Sequence, residues 1–332
     1  MIPLTLAAPV TTPTEAADRY RRRVANGFLR MVANLQRGIR ASDDFNTIPD
    51  QLADVFRGSG VGPKERSLED DLRVVFEAGA EAGMYRLRRV RAAKATVSPI
   101  PPASVAAAMS FTLLNPSAVS FLQGYSFELI TGLSAIMQES IRDIMTQAFR
   151  DGLPVAAQAR LIRQYIGLTP QQIRAVENYR RLLESGDPGA LRETMGRALR
   201  DARYDRTIER TVTEGARLTR QQVNVMVDRY VSRQLKYRAE MIARTETIRA
   251  ANAGQIEAWR QAQQQGYLSA TVRQRWIYTK DERTCEVCPQ IPDMNPAGVP
   301  IGGVFRAPGG VVKQPPDPHP QCRCALGLLF VE

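Results

Sequence analysis

All four cysteines of the chain and its single histidine fall between residues 285 and 324. Cys285-Glu286-Val287-Cys288 is a C-x2-C pair, and His319-Pro320-Gln321-Cys322-Arg323-Cys324 follows after thirty intervening residues. Two thiolates at C-x2-C spacing can bind one ion from a tight turn, and a distant His and Cys can complete a tetrahedral Cys3His site. Cys285, Cys288, His319, Cys322 and Cys324 compete for four positions. Cys322 and Cys324 are two apart, so on a strand they point the same way, and either spacing from His319 is feasible. We read the cluster as the site of one structural zinc ion. A disulfide or free thiols packed in a core are the other possibilities, and a reducing compartment argues against the first of them. A closed four-ligand site leaves no open position for substrate, so it predicts structure and not catalysis.

The segment around the cluster needs such a staple. Arg273 to Tyr278 alternates like a strand, and Cys324 to Val331 is a second strand-like apolar run. Between them lies an irregular stretch with nine prolines from Pro289 to Pro320. Loops of that length are rare in compact domains unless something holds them.

Upstream the pattern is helical. Asn115-Pro116 pairs a cap with proline at the first helical position. Apolar residues recur at three- and four-residue steps from Val119 to Phe149. Thr169-Pro170-Gln171-Gln172 has the form of a capping box, predicting a helix to about Gly186. Further helices are expected over roughly 188–265, broken near Gly215 and ended by Gly266. The last, from about Tyr237, carries the stripe Tyr237, Met241, Ile248, Ile256 and Trp259. Thr245 and Asn252 lie beside that stripe, so backbone of a segment packed above is their expected partner. Glu246 and Arg249 form an i,i+3 pair expected on the surface.

The first hundred residues are Arg-rich. Arg21, Arg22 and Arg23 sit in one cluster and Arg86, Arg88, Arg89 and Arg91 in another. Lys and Arg total 45 against 34 Asp and Glu, a net charge of +11. Forty of the cations are Arg, as a GC-rich genome would also produce. Solvated helix faces account for such clusters, and so does contact with an acidic polymer such as DNA. Residues 1–13 carry three prolines and no basic start, so they read as an extended arm and not a signal peptide. No apolar run is long enough to span a membrane. Val97 to Pro102 breaks the helical pattern.

Catalytic constellations are missing from the pattern. A deaminase needs H-x-E before P-C-x-x-C, an HNH-type nuclease needs several histidines, and no phosphate-cradling G-x-x-x-x-G-K-[ST] occurs. We therefore expect no enzyme and no small-molecule substrate.

The order of motifs carries more information than any one of them. Ala243-Arg244-Thr245-Glu246-Thr247 is followed by Asn252 and Gly254, then Trp276, then Asp281-Glu282-Arg283-Thr284-Cys285-x-x-Cys288, and finally Pro318-His319-Pro320-Gln321-Cys322-Arg323-Cys324. This order resembles the phage Mu F-like head morphogenesis proteins, minor capsid proteins of tailed phages. Asn115-Pro116, Phe127 to Gly132 and Gly167-Leu168-Thr169 also fit, so the resemblance covers about 115–332. The long Pro/Gly-rich insert between Cys288 and His319 departs from it.

The resemblance implies a virion protein of the head interior or portal vertex, made in the host bacterial cytoplasm. Its expected partners are portal protein, major capsid or scaffold protein, and phage DNA. The competing expectation is a zinc-dependent nucleic-acid-binding or processing protein. The expected fold is mainly α, an elongated helical body with a small C-terminal α+β zinc-stapled module. Its parts would be an arm (1–13), an Arg-rich helical region (14–98), a linker (99–115), a helical middle domain (116–235) and the module (236–332). Arg244, Thr245, Glu246, Asn252 and Trp276 are expected to support the module, and the seven arginines of the two clusters to touch DNA or a partner.

Overall fold

A computed structural model gives the fold over residues 12–38, 68–94, scattered positions between 132 and 144, 161–320 and 322–330. The arm up to residue 11, the break at 97–102, the linker, the Asn115–Pro116 helix start and most of the Phe127–Gly132 stretch lie outside these residues. So do the side chains of Arg88, Arg89 and Arg91.

The described chain is mainly helical. Helices α1 (Pro13–Gly38), α2 (Leu68–Lys94), α3 (Pro170–Ser185), α4 (Pro188–Met195), α5 (Asp205–Thr213) and α6 (Arg220–Gln264) precede a short-stranded C-terminal region. That region runs β1 (Arg273–Ile277), α7 (Gln290–Met294), β2 (Val299–Pro300), β3 (Phe305–Ala307), β4 (Gly310–Val312) and β5 (Ala325–Leu329). Two compact units divide these elements. One takes the start of α1 up to Ala25, then α2, and everything from Glu240 onward; the other takes α1 from Asn26 and the helices up to Ala239.

In the second unit, local signals explain the helix ends. Thr169 and Gln172 form the reciprocal capping box, with Gln172 N donating to Thr169 Oγ1 at 3.2 Å and Thr169 N to Gln172 Oε1 at 3.1 Å. Gly186 ends α3 at φ +70°, a conformation that favours glycine. Asp187 caps α4 through Ala190 N at 2.7 Å. A second box opens α6: Thr219 N donates to Gln222 Oε1 at 2.8 Å and Gln222 N to Thr219 Oγ1 at 3.2 Å. The helix expected from about Tyr237 therefore begins seventeen residues earlier and runs 45 residues without a break. Tyr237 is not on a buried stripe; it is 45% exposed.

The first unit is built on α6. Every residue from 251 to 259 is buried, all the way around the helix. A helix closed in on all sides must be reached closely by its neighbours. Small residues permit it here, because Gly79 of α2 lies against the Ala251 backbone and Gly254 of α6 against the Phe76 carbonyl. Ala80, Met84 and Leu87 of α2 then share one core with Ile256, Ala258, Trp259 and Ala262 of α6 and with the strand region. Strand order is β2-β1-β5, all antiparallel, with Trp276 opposite Leu326 and Ile277 opposite Ala325. The hairpin β3–β4 forms a separate two-stranded sheet. Trp276 of β1 meets Phe305 of β3 edge-on at 5.4 Å and joins the two sheets.

Candidate metal centre

The register of β1 and β5 sets the site. β1 runs into the C-x2-C turn, and Cys322 and Cys324 lie immediately before β5. Pairing the two strands side by side brings these ends together across a long separation in sequence. Cys285 Sγ lies 3.0 Å from His319 Nε2, and Cys288 Sγ lies 3.3 Å from the same nitrogen. Cys288 Sγ is 3.7 Å from Cys322 Sγ. Two overlapping donor groups result, Cys285–Cys288–His319 and Cys288–Cys322–Cys324, with Cys288 common to both.

These residues could hold a metal ion. Zinc–sulfur bonds of about 2.3 Å in a tetrahedron place sulfurs about 3.8 Å apart, and the Cys288–Cys322 separation matches that. His319 Nδ1 is 2.9 Å from the Pro320 carbonyl oxygen. Its N–H donates there, which leaves Nε2 bare toward the sulfurs, as a ligating imidazole requires. All four cysteines are unpaired by disulfide. Cys288, Cys322 and Cys324 are buried in the core that holds Trp276. Burial pushes the Cys288 thiol up, and contact with Cys324 together with burial pushes Cys322 up, while Cys322 pulls Cys324 down. Buried sulfurs this close share little negative charge among themselves, and a cation would let them ionise together.

A bidentate ion pair ties the two ligand segments together. Arg323, between Cys322 and Cys324, donates through Nη2 to Asp281 Oδ1 at 2.5 Å and through Nη1 to Oδ2. Arg323 holds the Asp281 carboxyl well below the usual range. Asp281 also accepts from Arg283 N at 2.9 Å, and its own N–H donates to Thr284 Oγ1 at 3.0 Å, shaping the turn that enters Cys285. Thr279 Oγ1 donates to the Arg323 carbonyl at 3.1 Å. Asp281 and Arg323 both stand in the motifs of the sequence, but their pairing is legible only once β1 and β5 are adjacent. Asp281→Asn is expected to weaken metal retention about 10- to 100-fold while the helical circular dichroism stays unchanged. Competition against a chromophoric chelator measures it, and unchanged affinity would remove the pair from the site.

A family comparison bears on the same stretch. The family described as Phage Mu protein F like protein matches residues 139–327, more than half of the chain. The chain belongs to the phage Mu F-like family. Membership places it among phage head-related proteins, as the order of motifs implies. No curated protein and no solved structure matches the chain.

Of the other site residues expected in this Mu F-like chain, Trp276 packs directly in the cysteine-bearing core. Asn252 is buried, but its Nδ2 donates to the Ile248 carbonyl of its own helix at 2.8 Å and its Oδ1 has no partner. The expected backbone partner from a segment packed above is not found for Asn252, whose amide nitrogen is instead satisfied within its own helix. Glu246 is 7% exposed and not a surface residue. It pairs with Arg249 at 3.3 Å; Arg249 Nε in turn lies 3.8 Å from Asp317, and the Arg249 carbonyl accepts from Gln314 Nε2 at 3.0 Å. Glu246 and Arg249 thus anchor the segment before His319 to α6. Thr245 is half-buried on the same helix. Of the arginine clusters, Arg23 is engaged by the buried Asp71 and Arg86 donates to the Leu326 carbonyl of β5 at 3.5 Å. Arg22 is exposed, and Arg21 pairs with Asp18 at 3.3 Å near the surface.

Proposed function

We propose that this chain is a minor head protein of a tailed phage, a structural assembly factor that associates with the portal or inner capsid and with packaged DNA. Family membership over residues 139–327 carries this reading. The chemistry of the donor set supports its structural character. Cys285, Cys288 and His319, with Cys322 or Cys324 as the fourth donor, would supply the protein ligands for one zinc ion. Zinc so enclosed ties the turn after β1 to the entry of β5 and offers no position to a substrate. On this reading the chain is a structural part of the particle, made in the host cytoplasm and carried in the virion. No described helix is long and apolar enough to cross a membrane.

The test is genetic. Procapsids from a phage lacking this gene should be abnormal in composition or DNA content and lose infectivity. Normal particles would overturn the assembly role. Metal-dependent cleavage of DNA by the purified protein, absent from Cys285→Ser, would instead establish a nucleic-acid-processing function.

A further inference from the structure

Of the six large apolar side chains that stand exposed among the described residues, three belong to the insert between Cys288 and His319: Met294, Val304 and Val311. Exposed apolar side chains gathered in one stretch mark a surface that another molecule covers. Val304 and Val311 lie on the hairpin β3–β4, which has two faces. Phe305, Ala307 and Val312 turn inward to the core around Trp276. Strand alternation puts Val304 and Arg306 on the opposite face, and Arg306 stands directly across from Val311. Lys313 follows Val311 on that side by the same alternation. All four are exposed, Val304 at 54% and Val311 at 66%. Two aliphatic side chains thus share a face with two cations, and among the described residues no carboxylate pairs with the side chain of either cation.

The two edges of the hairpin differ. Asn295 closes the β3 edge: its Nδ2 donates to the Arg306 carbonyl at 2.8 Å, and its Oδ1 accepts from Arg306 N at 3.0 Å. Those backbone groups therefore point away from β4, which makes Arg306–Val311 the pair that exchanges no ladder bonds. The N–H and C=O of Val311 point away from β3 in the same way, along the β4 edge. Among the described residues the sheet ends at β4, and a Cβ on Gly309 or Gly310 would meet nothing within 4 Å. Proteins usually block a free strand edge. Here one edge is blocked and the other lies bare beside aliphatic side chains.

We propose that the β4 edge is a docking surface for an extended segment of a partner protein in which aliphatic and acidic residues alternate. The added strand bonds to the Val311 N–H and C=O. It lays an aliphatic side chain opposite Val311 and, two residues away, a carboxylate opposite Lys313. Charge complementarity selects this occupant. A second copy of the hairpin would bring its own Arg306 and Lys313 against these cations, and like charges across a strand pair are unfavourable. Nucleic acid would use the cations but neither the aliphatic side chains nor the backbone edge. The surface goes beyond the assembly role proposed above and does not depend on the DNA contact.

The probe is a fluorescein-labelled peptide of about six residues alternating valine and glutamate, with a counterpart alternating valine and lysine. Anisotropy is read with the full chain. Wild type is expected to bind the glutamate peptide and to bind the lysine peptide about tenfold more weakly. Arg306→Glu combined with Lys313→Glu should reverse that preference. Val311→Pro removes the outward N–H and leaves the β3–β4 ladder bonds in place, and it should weaken the glutamate peptide about tenfold or more. Circular dichroism and bound metal are checked on each variant, and the charge-inverted variant decides the matter if Val311→Pro does not fold. Equal binding of the two peptides by wild type, or binding of neither, overturns the proposal. So does an unchanged preference in the charge-inverted variant, or unchanged binding by a folded Val311→Pro. Displacement of the peptide by a short DNA duplex overturns it in favour of nucleic acid. A wild-type dimer that Val311→Pro dissolves overturns it in favour of a second copy.

Discussion

Replacing Cys288 with serine is expected to strip the protein of zinc and to open residues 285–330 to protease. Cys288 is the one donor that belongs to both groups of the site, so its loss breaks the bridge between the C-x2-C turn and the entry of β5. In small zinc domains the metal contributes about 10–16 kcal/mol of apparent folding free energy. The module here also has an apolar core around Trp276, Phe305 and Leu326, which offsets part of such a loss. Limited proteolysis should therefore cut the module while the helices of the second unit keep their circular dichroism signal. Cys322→Ser and Cys324→Ser, compared for metal content, decide which of the two completes the site, because each groups only with Cys288 and with the other. Wild-type protein purified without any bound zinc would end the zinc assignment, and full metal retention by both of these variants would remove Cys322 and Cys324 alike from the site.

Gly254→Ala is expected to destabilise the first unit by about 3 kcal/mol or more, at the upper end of overpacking costs. A Cβ at Gly254 would collide with the Phe76 carbonyl oxygen and lie 2.9 Å from Ala80 N. Backbone atoms in the middle of α2 cannot rotate away as a side chain can, so the helices must separate. Separation also uncouples Met84 and Leu87 from Ile256 and Trp259. Gly215→Ala is the contrasting case. A Cβ there meets nothing within 4 Å, and only its φ of +61° opposes the change, a cost of about 1–2 kcal/mol. Urea unfolding of the two variants separates the causes. Similar losses would mean that the α2–α6 approach is not the tight packing the backbone positions imply.

Much of the helical region was legible because its signals are local. Thr169 to Gln172 closes its own hydrogen bonds within one turn, and no distant residue takes part. Thr219 to Gln222 carries the same signal at the start of α6, where the apolar stripe from Tyr237 masks it. The run from Ala250 to Gly254 was harder, since small residues show no periodicity and α2 buries them from the far side. Glu246 looked like half of a surface pair because a helix-surface pattern does not reveal that the Asp317 segment will be laid over it.

By itself, the sequence determined that the five metal donors lie in two clusters, that both clusters border strand-like runs, and that the motif order is that of the Mu F-like family. Those properties are covalent or local. Tertiary structure alone decided that Cys288 bridges the two donor groups and that Asp281 clamps Arg323 across 42 residues. Each of these follows from the pairing of β1 with β5 and from the packing of that sheet beside α6. Charge and spacing along a chain say which groups could meet; the strand register and the close approach of helix backbones determine which of them do.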